Sequence, residues 1–228
     1  MKNLIIIPAR KGSKRIKDKN LVKILNQPLI SWTINYAKKF KKKNCDLVVT
    51  SDCMKIKKIC SRKNIFFLKR PQKISSDNAS MHEVIFHVLN SLNQKYRYII
   101  LLQPTSPLRK LDLILKSINI LDKKKKFDSL IHLARCKSFT GKVMNNHWKP
   151  DYSVNNVSQN IKNKFSPTGN IFIYRSSLFE KKIKFPKKTY SLISKNDKWV
   201  DIDYPEDLII LNFYLKNKKN RKILIDKD

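Results

Sequence analysis

Short runs of aliphatic and β-branched residues alternate along this chain with longer stretches in which apolar positions recur every three or four residues. Leu4–Ile7 is the first such run, and Pro8 ends it. Leu47–Thr50, Ile65–Leu68 and Tyr98–Leu102 repeat the form. A run with no polar alternation describes a strand buried on both faces, as inside a parallel sheet. Between the runs, helical spacing predicts helices from Pro28 to Phe40, over Met54–Arg62, over Met81–Leu92 and through Leu111–Leu121. Pro28 suits a first helical turn, where a missing N–H costs nothing. Further strands are predicted near Ser129–Leu133 and at Ile171–Tyr174, and an amphipathic helix closes the pattern after Pro205. Strand and helix alternating in this way predict an α/β fold, a mostly parallel sheet with crossover helices.

The rhythm lapses over residues 137–168, which are polar, rich in Asn and carry Trp148 and Tyr152. This stretch reads as an inserted arm on one domain spanning 1–228, a length that suits a single α/β core. No apolar run approaches the ~20 residues of a membrane span. Ile5–Ile7 is too short for the core of a signal peptide, so a cytoplasmic protein is expected. The four cysteines form no CxxC pair, and with the four histidines they form no zinc pattern. The formal net charge is +33, which by itself would suggest a nucleic-acid partner. The lysines, however, are spread over nearly the whole chain, and no nucleic-acid-binding motif accompanies them. A solvated basic surface is the better reading, with a nucleic-acid-binding protein without catalysis as the alternative.

One cationic cluster differs from the rest by its position. Arg10, Lys11, Lys14, Arg15, Lys17 and Lys19 follow directly on the first buried strand, with Gly12 and Ser13 among them. Open α/β sheets bind ligands at the C-terminal ends of their strands, and backbone N–H groups, a hydroxyl and cations together suit a polyphosphate. Asp52, Arg70 and Gln103 end other predicted strands, so they converge on the same edge. Asp201-Ile202-Asp203 is the sharpest acidic feature among 17 acidic residues. In an extended segment it places both carboxylates on one side, an arrangement that asks for a cation between them. Asp203, Pro205, Glu206 and Asp207 also suit a helix N-terminus, with Asp203 as a candidate cap. Asp77–Ser80 reads first as a helix cap, and His82 and His87 read as structural. Dinucleotide and P-loop glycine motifs are absent from the sequence.

Pro8–Arg15 with Lys19-Asn20, Ser51-Asp52, Arg70-Pro71, Gln103–Arg109 and Asp201–Asp203 together resemble the acylneuraminate cytidylyltransferases, the CMP-sialic acid synthetases. Five separated motifs agree in order, from residue 4 to about 210. The resemblance implies a Rossmann-like fold and a homodimer built through an arm like residues 137–168. It also implies a reaction joining CTP to a nine-carbon 2-keto sugar acid, a nonulosonate such as N-acetylneuraminate, with release of pyrophosphate. Carried over, it places Arg10, Ser13, Lys14, Lys19 and Asn20 on the triphosphate, and Arg70, Ala79 and Ser80 beside the cytidine. Arg10, Lys19 and Asp203 become catalytic, Asp201 and Asp203 hold Mg²⁺ (or Mn²⁺), and Gln103, Lys142 and Gln159 meet the sugar. The chain departs from the family pattern in having Ser158-Gln159 where relatives have Arg-Gln, and Thr168-Gly169-Asn170 where they have Asn-Gly-Ala. The nearest alternative reaction is activation of 3-deoxy-manno-octulosonate.

Overall fold

The computed structural model describes residues 1–136, 141–150, 164–180, 186–194 and 199–216. Strand β1 (Asn3–Pro8) is buried at every position, as its unbroken apolar run requires. The chain then passes through the basic loop and a 3₁₀ turn (Lys19–Leu21) into a small hairpin of β2 (Lys23–Ile24) and β3 (Gln27–Pro28). Leu25 and Asn26 both have positive φ, the signature of a two-residue hairpin turn. Helix α1 (Leu29–Lys38) starts one residue after Pro28, which serves as its N-cap and not within its first turn. Then follow β4 (Cys45–Ser51), α2 (Met54–Arg62), β5 (Phe66–Lys69), α3 (Met81–Leu92), β6 (Tyr98–Leu101) and α4 (Leu113–Lys123). The bounds of α2 and α3 are those that the sequence pattern predicts.

The second half is less regular. It contains β7 (Ser129–Cys136), the hairpin β8 (Gly141–Met144) and β9 (His147–Pro150), and the long β10 (Lys164–Arg175). A short α5 (Ser177–Glu180), β11 (Thr189–Ile193) and α6 (Pro205–Lys216) complete the order. Seven strands form one sheet in the order β11-β7-β10-β6-β1-β4-β5. All are mutually parallel except β10, which lies antiparallel between β6 and β7. Strand β10 begins at Lys164, so the last five residues of the expected arm belong to the sheet. The remaining described part of that arm is the antiparallel β8–β9 hairpin.

Two apolar cores flank the sheet, one under α1, α2 and α4 and the other between the sheet and α3. A third cluster joins Ile16, Ile24, Leu29 and Trp32 to Val200, Ile202, Leu211 and Leu215. This cluster brings the Asp201–Asp203 segment back to the first loop of the chain, across more than 180 residues. Burying Ile202 completely fixes the segment's facing. No helix among the described residues is long and apolar enough to cross a membrane.

Candidate active site

A cleft of about 390 Å³ opens at the C-terminal edge of the sheet, lined from the ends of β1, β5 and β6. Its walls include Arg10, Ser13, Lys14, Arg15, Lys19 and Asn20 from the first loop, together with Arg70, Asp77, Gln103 and Asp203. Residues from five sequence segments therefore meet there, because parallel strands deliver their following loops to one side.

The first loop is fixed by its own polar groups. The Asn20 amide donates to the Arg10 carbonyl at 3.1 Å, and the Lys11 backbone N–H donates to the Asp52 carboxylate at 2.7 Å. Asp52, from the end of β4, thus orders the loop's backbone. Asp18 takes a left-handed conformation, which turns the chain into the Lys19–Leu21 helix. Lys19 is mostly buried and donates to the Ile202 carbonyl at 2.6 Å and to Asp203 at 2.9 Å. Arg15 pairs with the other Asp203 oxygen at 3.1 Å and lies over the Tyr204 ring. The hydrogen bond from Lys19, more than the charges nearby, holds the Asp203 carboxyl below the usual carboxylate range.

On the other wall, Asp77 pairs with Arg10 and with Lys14, the latter at 3.0 Å. Hydrogen bonds from Lys14 and Arg10 hold its carboxyl low as well. Arg70 is almost fully buried at the end of β5, donating from one terminal nitrogen to the Thr50 carbonyl at 3.0 Å. Its Nε is buried with no partner among the described residues. Burial pushes its pKa down to about 10, so it remains a cation at neutral pH. A buried cation with a spare donor on a cleft wall is suited to an anionic or carbonyl-bearing ligand.

Gln103 and the turn after it form the floor. Gly169, at φ +68°, packs so closely that a Cβ there would overlap the Ser106 hydroxyl and the Gln103 side-chain oxygen. Gly169→Ala is therefore expected to cost about 1–3 kcal/mol, from left-handed strain plus the clash. Urea unfolding followed by circular dichroism would measure it, and an unchanged midpoint would count against this packing.

A family model described as cytidylyltransferase matches residues 4–223. The chain belongs to the cytidylyltransferase family. It is 29% identical to the N-acylneuraminate cytidylyltransferase of Escherichia coli O18:K1:H7, over 97% of this chain and 54% of that protein. The pseudaminic acid cytidylyltransferase of Campylobacter jejuni serotype O:2 is 36% identical over 50% of this chain and 50% of that protein. The chain spans about half the length of these curated relatives. Among solved structures, a CMP:2-keto-3-deoxy-manno-octonic acid synthetase complexed with CTP has a TM-score of 0.69 at 14% identity. That match covers 96% of this chain and 100% of the other, and at such identity it shows the fold alone.

Of the residues that the family resemblance points to, Arg10, Ser13, Lys14, Lys19, Asn20, Arg70, Gln103 and Asp203 line the cleft. Asp201 is not among the residues that line the cleft, and it accepts a hydrogen bond from the Ser106 hydroxyl at 3.2 Å. Ala79 and Ser80 are not among the lining residues, although Asp77 and Met81 on either side of them in sequence are. Ser80 caps α3, its hydroxyl accepting from the Glu83 N–H while the Glu83 carboxylate accepts from the Ser80 N–H. The expected cap of α6 is corrected. The Asp207 carboxylate accepts from the Asp203 and Tyr204 N–H groups, which leaves the Asp203 carboxylate free for Lys19 and Arg15. Lys142 is exposed on β8. Gln159, with Ser158 beside it, lies outside the described residues. Sequence reasoning placed Arg15 in the cationic cluster and Asp77 in a capping segment but gave neither a role of its own in the cleft. Their types are ordinary in a loop, and only the fold shows each paired across the cleft.

Proposed function

We propose that this cytidylyltransferase joins CTP to a nonulosonic acid, N-acetylneuraminate or a near relative, giving a CMP-sugar and pyrophosphate. The observation that carries the reading is the single cleft in which Arg10, Lys14, Lys19, Arg70 and Asp203 face one another. The named activities of the relatives in E. coli and C. jejuni support it. The sugar's anomeric hydroxyl attacks the α-phosphorus in line and loses its proton. The bond from that phosphorus to the β-phosphate oxygen breaks, and pyrophosphate carries away the electron pair. Such chemistry rests on positioning and on stabilising charge as it develops. Arg10, Ser13, Lys14 and Asn20 hold the triphosphate, with Arg10, Lys14 and Lys19 facing the charge that builds on the leaving group. Arg70 borders the cytidine, with Ala79 and Ser80 beside it, and Gln103 meets the sugar.

A divalent cation fits the donor set. Mg²⁺ is held by one or two carboxylates with substrate phosphates and water completing the shell. Among the described residues no cluster of three metal-ligating side chains exists, so a protein-only cage is not what this cleft offers. Asp203, half exposed on the cleft wall, and Asp201 two residues before it would hold Mg²⁺ or Mn²⁺. When bound, the ion would neutralise the triphosphate and polarise its phosphoryl oxygens.

The same reading carries a cytoplasmic homodimer built through the β8–β9 hairpin, whose Val143, Met144 and Trp148 are exposed. The test is pyrophosphate release from CTP and Mg²⁺ with a panel of keto-sugar acids. Release with a nonulosonate is expected. Release with 3-deoxy-manno-octulosonate alone would replace the substrate, and salt-sensitive binding of generic nucleic acid without turnover would replace the enzyme.

Asp77 adds a prediction. It occupies Arg10 and Lys14 as a phosphate would, so nucleotide must displace it. Asp77→Asn is expected to lower the KM for CTP by about two- to fivefold, in line with a weak exposed ion pair. A raised KM would mean that Asp77 organises the loop and does not compete with substrate.

A further inference from the structure

The largest completely buried side chain in the described structure is a cation, Arg109, 1% exposed and outside the cleft. Burying a guanidinium is costly unless its nitrogens find hydrogen-bond partners. Here each nitrogen has a partner. Nε donates to the Asn170 carbonyl at 2.7 Å, Nη1 to the Thr33 hydroxyl at 2.9 Å, and Nη2 to the Gln103 carbonyl at 2.5 Å. The guanidinium also faces the Tyr36 ring, 5.8 Å from its centroid. One side chain thus ties α1, β10 and the end of β6 together at the base of the cleft.

The contacts beyond Arg109 lead to the reacting edge. The Gln103 carbonyl that Arg109 grips also accepts from the Ser106 N–H at 3.2 Å, closing the turn. From that turn the Ser106 hydroxyl reaches Asp201, and the Thr105 carbonyl accepts from the Ile202 N–H at 2.8 Å. Two bonds therefore run from the turn to the Asp201–Asp203 segment, and Lys19 sits on that segment's far side. Asp201 is also the acid whose charge acts on the Arg109 guanidinium.

We infer that Arg109 is a positioning residue that sets the place of the cleft floor and, through the Gln103–Ser106 turn, of the Asp201–Asp203 carboxylates. It touches no reacting atom. Its contribution is to hold two parts of the site at one separation, and shifts well under an ångström in such a site are costly. The inference rests on the proposed reaction for its kinetic consequence, while its structural consequence can be read without any substrate.

Arg109→Lys keeps the charge and loses the fork. The expected result is a kcat lower by about tenfold or more, with the KM for CTP changed by less than about threefold, because the Arg10–Lys14 grip is untouched. Amide hydrogen exchange on the substrate-free protein should speed up at Ser106 and Ile202 by about tenfold, while the amides of β1 and β4 keep their protection. Ser106→Ala, which cuts the link to Asp201 without touching the buried cation, should show the same pattern more weakly. A wild-type kcat in both variants would overturn the inference, and so would faster exchange spread evenly over the sheet. If Arg109→Lys does not fold, Ser106→Ala decides by the same criteria. If the wild-type protein releases no pyrophosphate, the proposed reaction fails, and the exchange pattern still decides the role of Arg109.

Discussion

Arg10→Ala is expected to lower kcat/KM for CTP by at least about a hundredfold, roughly 2.7 kcal/mol of lost transition-state stabilisation. The residue stands at the junction between a completely buried strand and the cleft, so its backbone cannot move with its side chain. Asn20 holds its carbonyl, and Ala9 before it donates to the Thr50 carbonyl at 3.0 Å. A guanidinium fixed this way presents its fork without first paying for order, which is where Arg differs from a long, mobile Lys. Arg10→Lys should recover part of the rate by restoring charge alone. The fold should survive either change, because the side chain is about one-third exposed and its ion pair with Asp77 lies at the surface. Initial-rate kinetics with circular dichroism would check both halves. A near wild-type rate in Arg10→Ala would remove this residue from the triphosphate grip.

The cleft has a symmetry of charge that no single motif shows. Two acids stand between two pairs of cations: Asp77 between Arg10 and Lys14, and Asp203 between Lys19 and Arg15. Both carboxyls are held low, so both are ionised wherever a nucleotide would bind. Their settings differ in what holds the carboxylate in place. Asp77 sits on an exposed loop and pairs with cations that, in the proposed reaction, the triphosphate takes over. Asp203 is tethered by Ile202 in the core and by Lys19, which also binds the Ile202 carbonyl. The first acid is built to leave and the second to stay.

Much of this was legible from residue types. Leu4–Ile7 and Tyr98–Leu101 could only be strands buried on both faces, and the charged loop after the first of them could only lie at the sheet's edge. Strand β11 escaped because it is an edge strand with alternate positions exposed, set among lysines that hide its period. The antiparallel placement of β10 depends on which partners it finds, and Ile171–Tyr174 reads the same in either direction. Nothing in the periodicity singles out Asn26, Asn44, Asn64, Asn93, Asn145 and Asn146, which all have positive φ. In a chain with three glycines they occupy left-handed positions that glycine would otherwise fill. Arg109 was quoted as the end of a motif and given no role of its own. Among 50 lysines and arginines nothing in its type marks it as the most deeply buried of those described. Asp203 was the opposite case, since acids are scarce here and an Asp-Ile-Asp spacing stands out against a basic chain.

That scarcity makes Asp203→Ala the most damaging single change expected at the site, about a thousandfold in kcat, or roughly 4 kcal/mol. Three effects act together. The cleft loses the carboxylate best placed for a divalent ion. Lys19 keeps only the Ile202 carbonyl as a partner, so its ammonium is no longer aimed. Arg15 loses its ion pair and keeps the Tyr204 ring. Asp203→Asn separates these effects, because it removes the charge and keeps the shape. A rate as low as that of the alanine variant would assign the loss to charge, and an Asn variant close to wild type would remove Asp203 from the chemistry altogether. Stability gives an independent check through pH. The folded Asp203 carboxyl titrates below its unfolded value of about 3.8, so its ion pairs stabilise fully above that value. The contribution is lost as pH falls through the lower, folded value. With the side chain half exposed, it amounts to no more than about 1 kcal/mol. Wild type and Asp203→Asn should thus differ slightly in urea midpoint at pH 7 and converge as pH falls through the lower, folded value, while their rates at pH 7 differ by orders of magnitude. A large stability gap at pH 7 would show instead that Asp203 holds the fold, and that its loss of rate is only a consequence.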